Sequence, residues 1–274
     1  MNRFLFGKLF SGESSWQRLG LLLLFIYSFF GIYIFLRADS MIFMPQPTSY
    51  QDTKDIIKIS VTNTERISAL YLPNPRSNYT LLYIHGNAED LGDIRPVLAR
   101  LHSWDFSVFA YDYRGYGTSD GTPSESNADR DADAVYRYLT QQLKIPASQI
   151  IVYGRSVGGG SATRLAAQNT VAGLILESTF TSIFRVVVPF PLLPFDKFTN
   201  LDRISKVRCP VLVMHGQADR TILISHGRSL DEAAPEPKMS LWIAGAGHND
   251  LSDVAGDRYR QALLSFQQLI KTHQ

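Results

Sequence analysis

The chain has 274 residues, enough for one large domain or two small ones at roughly 150 residues per domain. Hydrophobic residues make up 45% and charged residues 19% of the chain, as in ordinary globular proteins. The net charge is only +2 with Lys and Arg spread along the chain, which excludes a basic surface for nucleic acid. The single cysteine, Cys209, excludes an internal disulfide. Because it precedes the apolar segment Val211–Met214, we expect a buried core thiol.

The amino-terminal part contains an uncharged apolar segment, Leu19–Leu36, between Arg18 and Arg37. As a helix this segment would be roughly 27 Å long, close to the ~30 Å hydrocarbon core of a bilayer. We therefore predict a transmembrane helix over residues 19–36, after a short tail of residues 1–18. A cleaved signal peptide is the alternative, although its apolar core usually has about 7–15 residues. A buried globular helix would need a polar face, which this segment lacks.

Basic residues flank this helix unequally. Arg3, Lys8 and Arg18 precede it, whereas only Arg37 follows it closely. Positive charges near the ends of a transmembrane helix favour the cytoplasmic side. The sequence thus predicts a single-pass membrane protein with a cytoplasmic amino terminus and its large domain on the opposite side.

The remainder of the chain alternates between strand and helix patterns. Residues 37–54 are predicted to form a proline-stiffened linker, and residues 55–274 the main domain. The predicted strands are Asp55–Val61, Arg66–Leu72, Thr80–Ile84, Phe106–Tyr111, Gln149–Tyr153, Val171–Leu176, Val211–Met214 and Met239–Ala244. The predicted helices are Asp93–Trp104, Ser124–Leu143, Val157–Gln168, Ile222–Ala233 and Asp257–Ile270. The first two strands alternate as a hairpin, and the later apolar strands predict a mostly parallel eight-stranded sheet with helices on both faces.

Residues 154–158 carry the pattern G-x-S-x-G between a predicted strand and a predicted helix. In this context the pattern is typical of a nucleophile elbow, in which the serine stands at the tip of a sharp turn. Gly154 and Gly158 would leave room for that turn. Ser156 is therefore the predicted nucleophile, which an adjacent base must activate. A serine that merely caps the following helix is the alternative.

The carboxyl ends of parallel strands share one edge of a sheet, where functional residues of such folds lie. Ser156, Asp219 and His248 follow three of these ends in the order Ser…Asp…His, which is the chain order of α/β-hydrolases. His248 is the predicted general base and acid, so the rate should fall below about pH 6–7. Asp219 should orient its imidazole. Glu177 is the alternative acid, and a simple turn role for Asp219 stays open.

Other polar residues near these strand ends are interpreted as structural. His85 and His215 end strands in His-Gly pairs, and Asp112 and Arg114 are predicted to pair with each other across a turn. Asp250 is too close in sequence to His248 to reach its far nitrogen comfortably. Two further histidines fall in predicted helices and one lies in the carboxyl-terminal tail: His102, His226 and His273.

Catalysis at an activated serine also requires N–H donors for the oxyanion. The backbone N–H groups of Asn87 and Val157 are the predicted donors, with Ala88 as the alternative to Asn87. No metal-binding motif and no nucleotide-binding loop occurs in the sequence, so neither a metal nor another cofactor is expected.

Residues 177–210 leave room for a short helix and a loop, but not for a large cap domain. Within them, residues 186–195 are apolar and rich in proline. Phe190, Leu192 and Leu193 are predicted to line an acyl-binding groove. Contact with lipid and ordinary packing over the core are the alternatives.

Five ordered motifs resemble those of small, cap-less α/β-hydrolases, nearest to the membrane-associated group that includes eukaryotic protein depalmitoylases. The motifs are His85–Ala88, Asp112–Gly117, Gly154–Gly159, His215–Asp219 and Gly245–Asp250. The resemblance extends from about Tyr50 to the carboxyl terminus and implies an α/β-hydrolase fold with serine-hydrolase activity. In one respect the chain differs, because those depalmitoylases have a cysteine-rich, lipidated amino terminus. Here an apolar helix takes that place.

The sequence therefore predicts a membrane-anchored serine hydrolase. It would cleave carboxylic esters or thioesters of acyl or lipid-like groups through an acyl-enzyme on Ser156. A serine peptidase or amidase with the same three residues is one alternative, and a hydrolase-like binding module without activity is the other. The expected partners are a small-molecule or acylated substrate and the lipid bilayer, without nucleic acid.

Overall fold

The computed structural model describes residues 15–273. Helix α1, Ser15–Ile42, contains the predicted apolar segment, and its large apolar side chains are mostly exposed. The helix is long and apolar enough to cross a membrane. It extends beyond residues 19–36 at both ends, so the first six residues of the predicted linker 37–54 are helical. Residues 37–44 contain neither glycine nor proline, so the helix can continue past residue 36. Pro45 then disfavours helix in the residue that precedes it. Residues 1–14 of the predicted tail lie outside the described residues.

One eight-stranded sheet forms the centre of the compact unit Ile42–Gln274. Its strands are β1 (Ile56–Ser60), β2 (Arg66–Leu72), β3 (Thr80–Ile84), β4 (Ser107–Tyr111), β5 (Ile150–Arg155), β6 (Gly173–Glu177), β7 (Val211–Gly216) and β8 (Lys238–Ile243). The strand order is β1-β2-β4-β3-β5-β6-β7-β8. β2 pairs antiparallel with β1 and β4, and all other pairs are parallel. The predicted hairpin and the mostly parallel sheet are confirmed.

Helices cover both faces of this sheet. They are α2 (Leu91–Ser103), α3 (Glu125–Arg137), α4 (Gly158–Gln168), α5 (Ile183–Val187), α6 (Asn200–Ile204), α7 (Ile224–Ala233), α8 (Leu251–Ala255) and α9 (Asp257–His273). On one face, α2 and α9 bury apolar side chains against Tyr83, Tyr153 and neighbouring strand residues. On the other face, α4 packs on the central strands and against α3 and α6. The five strands β3 to β7 are almost completely buried because both of their faces are covered.

The structure differs from the predicted helices in short segments. The predicted helix Ser124–Leu143 ends as α3 at Arg137 and continues as the π-helical turn Tyr138–Gln142. Two helices, α5 and α6, lie where one was predicted, and α8 was not predicted. Each of these three has only five residues, which is too short for a helical periodicity to be visible in the sequence. No large cap domain interrupts residues 177–210 in the described structure.

The predicted Asp112–Arg114 pair is wrong, although both side chains brace the fold. Asp112 accepts a hydrogen bond from the backbone N–H of Leu91 at 2.8 Å and another from the Tyr50 hydroxyl at 2.5 Å. Arg114 donates to Asp131, with 2.8 Å between Nε and Oδ1. The Asp112 carboxylate thus binds the start of α2, and the Arg114 guanidinium binds α3. The two charged groups are paired with different partners and not with each other.

Candidate active site

The turn between β5 and α4 has the geometry of a nucleophile elbow. Ser156 has φ +50°, a left-handed conformation that few residues other than glycine adopt. A Cβ atom at Gly154 would lie 2.7 Å from the carbonyl oxygen of Gly158. One at Gly158 would overlap the carbonyl oxygen of Ile84 and lie 2.7 Å from that of His85. The two glycines therefore permit the sharp turn, as their positions in the sequence predicted.

Three predicted site residues meet at the carboxyl edge of the sheet. His248 Nε2 lies 3.0 Å from Ser156 Oγ, and His248 Nδ1 lies 2.8 Å from Asp219 Oδ2. An ionised carboxylate only accepts hydrogen bonds, so Nδ1 carries the proton of a neutral His248. The lone pair of Nε2 then faces the serine hydroxyl. This arrangement allows the imidazole to remove the hydroxyl proton from Ser156.

The buried carboxylate of Asp219 is held by several donors. Its Oδ1 accepts the backbone N–H groups of Thr221 and Ile222, each at 2.8 Å. Its Oδ2 lies 3.3 Å from His215 Nε2. Burial by itself raises the pKa of Asp219, but hydrogen bonds from His215, His248 and the Ile222 N–H together lower that pKa well below its usual value. Asp219 is therefore ionised at physiological pH.

The alternative acids have other partners. The Glu177 carboxylate accepts hydrogen bonds from the hydroxyl groups of Tyr153 and Tyr259, the latter at 2.5 Å, inside the core. Asp250 accepts the backbone N–H of Gly247 at 2.6 Å and so fixes the turn before His248. Asp219 is the carboxylate that the structure brings to His248.

Two backbone N–H groups beside the elbow are unbonded. Within residues 15–273, neither the Asn87 N–H nor the Val157 N–H donates a hydrogen bond to another residue. The N–H of Ala88 is engaged, because it donates to Asn87 Oδ1 at 3.0 Å. The close approach of Gly158 to the end of β3 brings the elbow against the loop that contains Asn87. The bonding pattern favours Asn87 over Ala88 as the second donor.

Arg155, the residue before the serine, was not singled out from the sequence. Its guanidinium pairs with Glu89, and its Nη2 lies 2.7 Å from Asn249 Oδ1 and 3.5 Å from the carbonyl oxygen of His248. One side chain thus joins the elbow to the loops that carry Asn87 and His248. The only sequence signal was its position inside G-x-S-x-G, where any residue is allowed.

The predicted substrate contacts lie in the segment between α5 and α6. Phe190 and Leu192 are exposed, with 58% and 51% of their surface accessible, and Leu193 is half-buried. Val187, at the end of α5, is 83% exposed. These apolar side chains are thus wholly or partly exposed in the part of the chain that was expected to contact substrate. Among residues 15–273, no group of three or more His, Cys, Asp or Glu side chains could hold a metal ion.

Comparisons with known proteins agree with this geometry. A family model described as serine aminopeptidase, S33, matches residues 75–200. Alpha/beta hydrolase domain-containing protein 17B of Xenopus tropicalis is 42% identical over 205 residues, which cover 72% of this chain and 71% of that protein. Alpha/beta hydrolase domain-containing protein aho-3 of Caenorhabditis elegans is 37% identical over 227 residues, which cover 80% and 68% of the two chains.

A solved structure with the same fold is that of an esterase from Pyrococcus furiosus. Its TM-score is 0.69 at 18% identity, and the match covers 83% of this chain and 97% of the esterase. At this identity the likeness establishes the fold alone.

The sheet order and the elbow, together with these comparisons, define a serine hydrolase with the α/β-hydrolase fold. The identity to the two hydrolase relatives extends over most of each protein. The chain therefore belongs to the family of alpha/beta hydrolase domain-containing protein 17.

Proposed function

We propose that this hydrolase cleaves carboxylic esters or thioesters of acyl groups at a membrane, through an acyl-enzyme on Ser156. The observation that supports this most is the hydrogen-bonded series from Asp219 through His248 to Ser156. A serine hydroxyl is a weak nucleophile at neutral pH, and an adjacent base within hydrogen-bond distance is what activates it.

In the acylation step, His248 Nε2 takes the hydroxyl proton while Ser156 Oγ attacks the acyl carbonyl carbon. The carbonyl π electrons move to oxygen, and the backbone N–H groups of Asn87 and Val157 stabilise the resulting oxyanion. The tetrahedral intermediate then collapses and expels the leaving alkoxide or thiolate. The proton held on His248 passes to that leaving group.

In the deacylation step, water attacks the acyl carbon while His248 removes one of its protons. Collapse of the second tetrahedral intermediate releases the carboxylic acid, and the proton returns to Ser156 Oγ. Asp219 acts in both steps, because its charge stabilises the imidazolium and its hydrogen bond keeps the productive tautomer.

The acyl preference rests on the apolar surface of Phe190, Leu192 and Leu193. Exposed apolar side chains in this segment would offer a surface to an acyl chain, which gains free energy when it leaves water. The resemblance to membrane-associated hydrolases favours the same substrate class. A peptidase or amidase is the second candidate, since the family model that matches residues 75–200 is described as a serine aminopeptidase.

We further propose that α1 anchors the chain in a bilayer as a single span. The exposed apolar side chains of α1 support this, since in water they would be costly. The proposed organisation is a tail of residues 1–18, a span of residues 19–36, a linker of residues 37–54 and a hydrolase domain of residues 55–274. The amino terminus would be cytoplasmic and the active site on the opposite side.

Membrane attachment is tested with the full chain in cells. Alkaline carbonate extraction should leave the protein in the pellet, and the intact mass should retain residues 1–36. A protein released by carbonate, or one that has lost these residues, would favour a signal peptide. Added protease should digest the hydrolase domain in intact cells if that domain is outside, and its protection would reverse the proposed orientation.

The substrate class is tested with the purified full chain in detergent micelles. Rates are measured for nitrophenyl esters of increasing acyl length, for acyl thioesters and for aminoacyl anilides, with Ser156→Ala as the control. We expect ester and thioester turnover that rises with acyl length and is lost in Ser156→Ala. Faster turnover of the anilides would favour the peptidase or amidase instead.

A further inference from the structure

We propose that the segment Ile42–Met44, which begins at the last residue of α1, is a positioning element for the oxyanion loop, residues 85–90. It acts through the side chain of Asn87. This inference rests on the proposed function, since it concerns the N–H donor that Asn87 contributes to the oxyanion hole. Catalysis would then depend on the segment that joins α1 to the hydrolase domain.

The Asn87 side chain binds the backbone of this segment on both sides of Phe43. Its Nδ2 donates to the carbonyl oxygen of Ile42 at 2.5 Å, and its Oδ1 accepts the N–H of Met44 at 3.0 Å. The amide thus satisfies one donor and one acceptor of the segment, as a neighbouring β-strand would. Two opposed hydrogen bonds from a planar group fix both its distance and its orientation.

Tyr116 closes this arrangement. Its hydroxyl donates to Asn87 Oδ1 at 2.6 Å and lies 3.0 Å from the Met44 nitrogen. Burial raises the pKa of Tyr116 to about 12, so the hydroxyl keeps its proton and remains a donor at physiological pH. Three groups, from the segment, the oxyanion loop and the loop after β4, therefore meet at one point.

Phe43 holds the segment in place by burial. Its ring is almost completely buried, with centroids 6.1 Å from Tyr113, 6.4 Å from Tyr116 and 6.0 Å from Phe198, all in edge-on geometry. Aromatic contacts of this kind add specific geometry to hydrophobic burial. The following Pro45 favours extended backbone at Met44, which suits the bond from the Met44 N–H to Asn87.

The oxyanion loop needs such support because its own conformation is unfavourable. Ala88 has φ +57°, a region that alanine rarely adopts. The same Asn87 Oδ1 that binds Met44 and Tyr116 also accepts the Ala88 N–H. This bond occupies the N–H of Ala88 while that of Asn87 stays unbonded for the oxyanion. Loss of the segment would remove two of the contacts that hold the Asn87 amide in this orientation.

The expected signature is a selective loss of transition-state stabilisation. The oxyanion exists in the tetrahedral intermediate and not in the bound ester, so a displaced N–H donor lowers kcat and leaves KM nearly unchanged. A general loss of folding would instead reduce the amount of active enzyme without weakening its binding of a transition-state analogue.

The experiment uses the full chain in detergent micelles with a nitrophenyl ester and an alkyl boronic acid as the transition-state analogue. Asn87→Ala and Asn87→Asp should each lower kcat about 10- to 100-fold, with KM within about twofold. Phe43→Ala should lower kcat about 5- to 20-fold through the displaced segment. The boronic acid should bind more weakly by the same factor as kcat falls.

Asn169 provides the matched control. Its half-buried amide donates to the Leu165 carbonyl at 3.1 Å at the end of α4, so Asn169→Ala removes a similar bond away from the site and should leave kcat unchanged. If Asn87→Ala does not fold, Tyr116→Phe removes one hydroxyl and should still lower kcat about 3- to 10-fold.

Two results would overturn the inference. One is kcat and boronate affinity that stay at the wild-type level in Phe43→Ala and Tyr116→Phe. The other is a fall in kcat that the boronate affinity does not follow. Wild-type enzyme without any Ser156-dependent turnover would instead refute the proposed function, so the two failures are distinguishable.

Discussion

Asp219→Asn removes a charge with almost no change in volume, so its effect on the rate isolates what the carboxylate does for His248. In the wild type, Oδ1 accepts two backbone N–H groups, from Thr221 and Ile222. An asparagine must place its only oxygen there, because an NH₂ group would face two donors. The NH₂ group then points at His248 Nδ1 and forces the proton onto Nε2. That tautomer cannot accept the proton of Ser156.

The magnitude follows from the lost charge. Imidazolium and carboxylate charges about 4 Å apart interact by about 4 kcal/mol at an effective dielectric constant near 20. This corresponds to a rate loss of about 10³-fold. The unproductive tautomer acts in the same direction, so we expect kcat to fall by about 10³-fold or more, with little change in KM.

The assay is kcat and KM for a nitrophenyl ester between pH 5 and 9, with Asp250→Asn as the control. Asp250 caps the turn before His248 and lies within two residues of it, yet its substitution should lower kcat less than about fivefold. If Asp219→Asn keeps more than about a tenth of wild-type kcat, Asp219 does not orient His248.

The same variant has a pH-dependent stability. Because the pKa of Asp219 is depressed in the folded state, its ionisation stabilises the fold above the unfolded-state pKa of about 4. That contribution is lost as pH falls further, towards the folded-state pKa. Urea unfolding should therefore show Asp219→Asn less stable than wild type at pH 7, with a smaller difference at pH 3. If the two proteins differ equally in their free energy of unfolding at pH 7 and at pH 3, the pKa of Asp219 is not lowered in the folded state.

Three further predictions concern the elbow and the core. Gly158→Ala places a Cβ atom on the Ile84 carbonyl oxygen and should lower kcat at least about 100-fold; wild-type kinetics would refute the elbow geometry. Arg155→Met should lower kcat about 10- to 100-fold, because it releases the loop that carries His248. The control Arg164→Met breaks an ion pair with Asp133, away from this loop, and should leave kcat unchanged. If both variants lower kcat by the same factor, Arg155 does not position the loop of His248. Burial raises the pKa of Cys209 to about 12, so a thiol reagent at pH 8 should label it only after denaturation, and rapid native labelling would contradict its burial.

The sheet was largely predictable because most of its strands are continuous apolar segments and the first two alternate between apolar and polar residues. β2 and β3 match the predicted bounds Arg66–Leu72 and Thr80–Ile84, where a proline follows the first segment and a His-Gly pair follows the second. The short helices α5, α6 and α8 were missed or merged since a single turn carries no periodicity. The partners of Asp112 and Arg114 were not predictable either, because they come from Tyr50, Leu91 and α3.

The meeting of Ser156, Asp219 and His248 follows from one rule, that parallel strands present their carboxyl ends at one edge. The contacts of Arg155 and of the Asn87 side chain follow from no such rule. They depend on loop conformations that bring residues 42–44 and 249 within hydrogen-bond distance of the site. The sequence patterns that predict helices and strands do not predict contacts between loops, so these two sets of contacts are visible only in the structure.

Above all, the proposed mechanism requires that the acyl group of the acyl-enzyme is bonded to Ser156 Oγ. It is tested most directly by incubating the purified full chain with a fluorophosphonate and locating the adduct by tandem mass spectrometry. We expect a single phosphonylated residue, Ser156, whose labelling abolishes ester hydrolysis and slows sharply in His248→Ala. An adduct on another residue, or ester hydrolysis that persists in Ser156→Ala, would contradict it.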